Sequence, residues 1–190
     1  MRIVSGSHRG RALVAPKGHS TRPTADRTRQ AVFNVLEHAP WSPGLQGLRV
    51  LDLFAGSGAL GLEALSRGAQ SCVSIDLDEG ARAAIERNAV ALSLVDRITA
   101  RRADATRLGQ NLDPAPFDLA FLDAPYGMGM SEAALAGIAR RGWLAPEAIV
   151  VVECGIGEAP LRAPGYDRLD SRDWGSARVH FLKAASTPPE

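Results

Sequence analysis

The sequence predicts an α/β fold, a mostly parallel sheet with helices on both faces, led by a short β-hairpin and a helix. Three observations carry this expectation. From Leu48 onward, short apolar β-branched runs alternate with helical patterns, which marks repeated βαβ units. A glycine-rich turn separates the first such run from the first helix behind it. The composition, 190 residues with 45% apolar and 23% charged, is that of one ordinary domain with a single core.

The elements follow in order. Arg2 to Pro16 alternates apolar and basic residues around Gly6-Ser7-His8-Arg9-Gly10, which suggests two short strands and a turn. Thr21 is placed to cap a helix with Pro23 in its first turn, and Ala31, Val32, Val35 and Leu36 form its apolar stripe. On that helix Arg22 and Arg29 are expected to project away from the stripe. Pro40 to Gly47, with two prolines and two glycines, reads as the linker into the sheet. Five strands are expected at Arg49 to Phe54, Cys72 to Asp76, Arg97 to Arg102, Phe117 to Asp123 and Ala148 to Cys154. Helices fit between them at Leu60 to Arg67, Glu79 to Leu92 and Ser131 to Arg141. A sixth strand near Arg168 and a seventh at Ala177 to Leu182 are weaker, since Asp170 to Gly175 is polar.

Composition also excludes. Cys72 and Cys154 stand in apolar runs without a CxxC or Cys/His cluster, as two reduced core thiols in a reducing compartment such as the cytoplasm would. No apolar run reaches the roughly 18 residues of a membrane span, and the amino terminus has no long apolar stretch, so secretion and membrane insertion are not expected. The net charge of +1 hides an asymmetry: residues 1–38 hold seven basic residues against two acids, and the remainder is net acidic. A basic arm on an acidic body suits a polyanionic partner, because counterion release supplies most non-specific affinity for nucleic acid; a solvated basic face would read the same.

After the first strand the chain reads Asp52-Leu53-Phe54-Ala55-Gly56-Ser57-Gly58-Ala59-Leu60-Gly61, a GxGxxG pattern in strand–loop–helix context. Glycine lets the backbone approach a nucleotide-type cofactor where side chains at Gly56 or Gly58 would obstruct it. Asp76, ending the second strand, is placed to accept hydrogen bonds from ribose hydroxyls. These features also fit a dinucleotide enzyme. Two points favour S-adenosylmethionine: Asp52 would repel a pyrophosphate but can receive a cationic methionine amino group, and a chain of this length leaves little room for a separate substrate domain. Asp104 stands where an acceptor could hold the adenine amino group, and Asp78 is expected to cap a helix. Phe54, Ala55, Ser57, Leu77 and Ala105, beside these positions, complete the expected cofactor set.

The fourth strand delivers Asp123-Ala124-Pro125-Tyr126 to its carboxyl end, where open α/β sheets bind ligands. Methylating an exocyclic amine is hard because its lone pair is delocalised into the ring. Asp123 and the Ala124 carbonyl can accept the amine hydrogens, Tyr126 can stack on the base, and Pro125 stiffens the turn. The reaction would be a direct displacement needing no metal, on a base flipped out of any duplex.

At these residues the chain resembles a known family, the RsmD-type methyltransferases that modify guanine N2 in 16S rRNA. The resemblance spans nearly the whole length. It rests on Arg2-Ile3-Val4-Ser5-Gly6 with Arg9-Gly10-Arg11, on Thr21-Arg22-Pro23-Thr24-Ala25-Asp26-Arg27-Thr28-Arg29 with Phe33-Asn34, on Asp52 through Ser66, and on Asp123-Ala124-Pro125-Tyr126. It implies a class I, Rossmann-like fold with a seven-stranded sheet, S-adenosylmethionine as donor, and an rRNA guanine presented in the 30S subunit or its assembly intermediate. The expected organisation is a monomer in which residues 1–40 are an RNA-contacting extension and 41–190 the methyltransferase domain, with Arg9, Arg11, Arg22, Thr24, Arg27 and Arg29 toward RNA. The family commonly has two prolines in the tetrapeptide; here the first is Ala124, which keeps the carbonyl and loses some rigidity. Residue chemistry alone leaves open an adenine-N6 methyltransferase, a protein-glutamine methyltransferase, or a non-catalytic RNA-binding assembly factor.

Overall fold

The computed structural model describes residues 1–16 and 23–186, and the side chains from residue 26 onward on the first helix. That helix, α1, is Pro23–His38; the proposed Thr21 cap, and Arg22 with it, lie outside the described residues. Seven strands follow: β1 Arg49–Leu53, β2 Ser71–Ile75, β3 Ile98–Arg101, β4 Phe117–Leu122, β5 Leu144–Gly155, β6 Tyr166–Trp174 and β7 Ala177–Ala184. They form one sheet in the order β3-β2-β1-β4-β5-β7-β6. β1 to β5 pair in parallel, whereas β7 runs antiparallel between β5 and β6. Parallel pairing forces crossovers, and α2 Ala59–Ser66, α3 Glu79–Leu92 and α4 Met130–Arg140 supply them. One face of the sheet packs the arm, α1, α2 and α3 around Phe33, Leu62, Ile85 and Phe121. The other packs α4 around Leu135, Ile138 and Phe117.

The sheet departs from expectation in two places, each for a physical reason. β6 extends through the polar run to Trp174 because it is the sheet edge, where Arg172 pairs with Asp170 and Arg178 with Asp173 in solvent. β5 begins earlier than its apolar run, at Leu144, with a register shift against β4 and a left-handed Glu147 at the irregularity. The expected amino-terminal hairpin is reduced to one antiparallel bridge, Arg2 with Ala12, supported by Ile3 N–H donating to the Arg11 carbonyl at 2.9 Å. Two strands this short gain little from pairing with each other, and the segment is held by the body instead.

A buried carboxylate does the holding. Glu63 on α2 has no solvent exposure, and it accepts the Val4 and Ser5 N–H groups at 2.7 and 2.9 Å and Arg67 Nε at 2.8 Å. Gly6 lies so close to the end of α2 that an added Cβ would sit 2.0 Å from the Ser66 carbonyl oxygen, and its φ of +81° favours glycine as well. Further along, Asn88 of α3 pairs with both backbone groups of Val14, at 2.8 and 3.0 Å, and with the Ser57 carbonyl.

Arg29 corrects the expectation made for it. It is only 5% exposed, donates to the Arg2 carbonyl and to Asp26 at 2.7 Å, and has Nε 3.6 Å from Glu63. It does not project away from the apolar stripe toward solvent; burial beside two carboxylates draws it inward, and its charge is used inside the protein.

Glu63→Ala is expected to destabilise the fold by about 3 to 5 kcal/mol, since it leaves the Val4 and Ser5 N–H groups and Arg67 Nε without an acceptor in a dry site. Urea denaturation checks this; a change below about 1 kcal/mol would show that water replaces the carboxylate.

Candidate active site

The sheet order reverses at β1, with β2 on one side and β4 on the other, and a crevice opens beyond the strand ends there. It is a cavity of about 650 Å³ lined by both motifs read in the sequence. One half is built from Asp52, Phe54 to Ser57, Asp76 and Asp78, the other from Asp123 to Tyr126, Glu153 and Trp174. The arm and α1 close it with Met1, Ala15, Pro16, Thr28, Arg29 and Val32.

The loop after β1 is shaped by strain and by one carboxylate. Phe54 takes a left-handed φ of +58°, uncommon for a bulky residue, and turns the chain out of the sheet. Asp76 then clamps the loop, one oxygen accepting Gly56 N–H at 2.8 Å and the other Asp78 N–H at 2.9 Å. A Cβ at Gly56 would meet no protein atom within 4 Å, so that glycine faces open space. The other two glycines serve packing. Gly58 starts α2 with a φ of +75°, and a Cβ at Gly61 would sit 2.5 Å from Cys72 Sγ.

Asp52 lies beneath the loop, 1% exposed, accepting Gly61 N–H at 3.1 Å. Burial, reinforced by the nearby Asp123 and Asp76 charges and only partly offset by Gly61, pushes its carboxyl up to about 8 from 3.8. Asp123 opens onto the cavity yet is packed round by protein atoms. Desolvation and then the charge of Glu153 raise it as well. Tyr126 donates its hydroxyl to Glu153 Oε1 at 2.6 Å, and burial together with that bond holds the phenol in its protonated form. Its ring rests against β5 because residue 155 is glycine: a Cβ there would stand 3.1 Å from Tyr126 Cδ2.

Several expected residues do not reach the cavity. Asp104 caps the short 3₁₀ turn Ala105–Arg107, accepting Thr106 N–H at 2.9 Å and Thr106 Oγ1 at 2.6 Å, which holds its carboxyl low. Neither Asp104, Ala105, Gly58 nor the exposed Leu77 lines the wall. Asp78 caps α3 through Ala81 N–H at 2.6 Å and lines the cavity too. Of the basic arm, Arg9, Arg11 and Arg27 are exposed, Arg11 donating to the Ala91 carbonyl at 2.6 Å; the Thr24 side chain, like Arg22, lies outside the described residues. Sequence reasoning missed Glu153, and Trp174, expected as a packing or surface residue, lines the cavity wall. For Glu153 a signal existed: it is an acid ending the apolar run Ile149-Val150-Val151-Val152, as Asp123 ends the run of β4.

The chain matches the family described as conserved hypothetical protein 95 over residues 1–183. It is 39% identical to a candidate rRNA methyltransferase of Bacillus subtilis, over 80% of this chain and 82% of the relative. It is 36% identical to ribosomal RNA small subunit methyltransferase D of Escherichia coli, over 82% of this chain and 75% of the relative. A solved Escherichia coli structure described as a candidate methyltransferase superposes with a TM-score of 0.82 at 30% identity, covering 98% of this chain and 99% of that one.

The raised Asp52 carboxyl has a sign that can be tested. The folded protein holds this proton between about pH 4 and 8 while the unfolded chain has released it, so the contribution to stability falls as pH rises through that window. Asp52→Asn removes the dependence. In urea titrations the variant should gain on the wild type from about pH 5 to 8 and level off above; a constant difference would mean that Asp52 ionises normally.

Proposed function

Since this chain belongs to the RsmD family of methyltransferases, we propose that it transfers a methyl group from S-adenosylmethionine to the exocyclic N2 of a guanine in 16S rRNA. Its fold is the class I methyltransferase fold, with the mixed seven-stranded sheet. One observation supports the assignment more than any other: the acids at the glycine loop and the Asp123–Tyr126 segment line a single cavity and feel each other's charge.

The residues fit the donor. A desolvated Asp52 is stabilised by an adjacent cation, which the ammonium of the methionine moiety supplies. Asp76 keeps acceptor capacity beyond its two backbone bonds for ribose hydroxyls, and Gly56 leaves room for close approach. When bound, S-adenosylmethionine provides an electrophilic methyl on sulfur. Asp123 and the Ala124 carbonyl accept the amine hydrogens, holding the nitrogen lone pair toward that methyl and drawing off the proton released on transfer. Tyr126 stacks on the base, its ring fixed by Glu153 and by the space at Gly155. Positioning of this kind supplies much of the rate without a covalent intermediate.

The substrate is presented in the 30S subunit or an assembly intermediate, in the cytoplasm, to a monomeric enzyme. Residues 1–40 meet the RNA through Arg9, Arg11 and Arg27, with Arg22 and Thr24 kept in the same expected set from the sequence, while 41–190 carries the cofactor.

Transfer of labelled methyl to undermethylated 30S subunits, free 16S rRNA and bulk protein, followed by nucleoside analysis, tests the assignment. N2-methylguanosine from the subunit sample is expected. Label on adenine would move the enzyme to the N6 class, and no label despite cofactor binding would make it a binding factor. Asp123→Ala should lower transfer about 100-fold or more while cofactor affinity changes little; abolished cofactor binding would instead place Asp123 in the donor pocket. Arg9→Ala with Arg27→Ala should weaken rRNA binding and flatten its salt dependence by about one unit of log–log slope for each phosphate left without its arginine. An unchanged salt series would remove the arm from the RNA interface.

A further inference from the structure

The base-binding half of the cavity contains a carboxylate that the transfer chemistry does not use. β4 and β5 pair in parallel with Leu122 opposite Val152, so the next residues along, Asp123 and Glu153, stand side by side at the strand ends. Alternation places both on the face that carries Phe121 and Val151, and both line the cavity. Neighbouring strands are about 4.8 Å apart, so carboxylates on adjacent strands can converge on adjacent donors of one planar ligand. Glu153 Oε1 is occupied by the Tyr126 hydroxyl, whereas Oε2 accepts no hydrogen bond from the described residues. Tyr126 thereby holds the carboxylate at the edge of its own ring, with the second oxygen left toward the cavity.

An acceptor beside the amine-holding Asp123 discriminates between purines. Guanine presents two adjacent donors on its Watson–Crick edge, the N2 amine and N1–H. Adenine presents an amine beside N1, which is an acceptor and would face the carboxylate with lone pair against lone pair. We propose that Glu153 is the base-selecting residue, its free oxygen accepting guanine N1–H while Asp123 holds the N2 amine. The inference rests on the function proposed above and deepens it: the target atom follows from Asp123, the choice of purine from Glu153. A base-reading site that hydrogen-bonds one edge rejects an analogue lacking the donor more strongly than an apolar slot would, because the site's own group is left unpaired.

2-Aminopurine separates the two roles, since it carries the same N2 amine as guanine but an acceptor at N1. The experiment uses 30S particles reconstituted with guanine or 2-aminopurine at the nucleotide that the nucleoside analysis maps, with the full-length enzyme and labelled S-adenosylmethionine. Wild type should methylate guanine at least about 100-fold better in kcat/KM. Glu153→Gln, whose amide can donate to an acceptor N1, should bring that ratio below about 10, with part of the change a gain on 2-aminopurine. Tyr126→Phe removes the bond to Glu153 but keeps the carboxylate, and should slow both substrates while leaving the ratio above about 10. Equal use of both bases by wild type would overturn the proposal without any variant, as would an unchanged ratio in Glu153→Gln. A ratio that falls equally in Tyr126→Phe would also overturn it, reducing Glu153 to a support for the tyrosine. Absence of transfer to the guanine particle would fall on the proposed function itself, whereas transfer without discrimination falls on Glu153 alone.

Discussion

A carboxylate with no access to water has to be answered by protein donors, and Glu63 is such a group. Two backbone N–H groups of the amino-terminal arm and Arg67 of its own helix answer it, with Arg29 of α1 adjacent. Because the arm's donors are part of that answer, the arm cannot leave without stranding the charge. Its position then determines the rest. With Val4 and Ser5 pinned to α2, Met1 falls over the glycine loop, where Ser57 Oγ lies 3.5 Å from its sulfur. Ala15 and Pro16 reach the cavity from the other end of the segment, past the bridge from Asn88 to Val14. A segment that composition marks as a basic appendage is in this way also a wall of the site.

The cavity gathers Asp52, Asp123 and Glu153 from three neighbouring strands, on the face of the sheet that the arm and α1 cover. Burial, with the neighbouring negative charges adding to it, makes Asp52 and Asp123 hold protons more tightly than a free carboxyl does. Such a row is unfavourable when empty and becomes favourable when a cation and hydrogen-bond donors enter. Unpaired acceptors thus act as stored selectivity: a ligand rich in positive charge and N–H groups relieves them, and one rich in lone pairs does not.

Sequence periodicity made the sheet and its helices legible because both depend on local patterns that repeat. The polar edge strand was faint for the same reason, since β6 buries little and alternation is what a reader sees. The site was legible where residues are adjacent in the chain, as in the glycine loop and in Asp123 to Tyr126. It was illegible where tertiary partners decide. Arg29 looks like any exposed arginine until Glu63, 34 positions on, is placed beside it. Asp104 reads as an adenine acceptor from its place after β3, but that it also caps the next turn through one oxygen shows only in the folded chain. Glu153 carries no motif at all; its meaning comes from the strand beside it.

The arm's charge has to be read with the same discrimination. Seven basic residues before position 39 suggest a strong polyanion footprint, but Arg29 is consumed in the interior and Arg11 is partly engaged by the Ala91 carbonyl. What remains exposed without a protein hydrogen bond from its side chain, among the described residues, is Arg2, Arg9 and Arg27, on a segment whose inner face borders a cavity lined with acids. The two signs are therefore sorted by depth. Phosphates are attracted to the outside and repelled from the interior, while a base, uncharged and rich in N–H donors on one edge, is the part of a nucleotide that the interior can accept. On the proposed function, that sorting would orient an approaching RNA backbone-out and base-in, with no contact required to the sequence around the target.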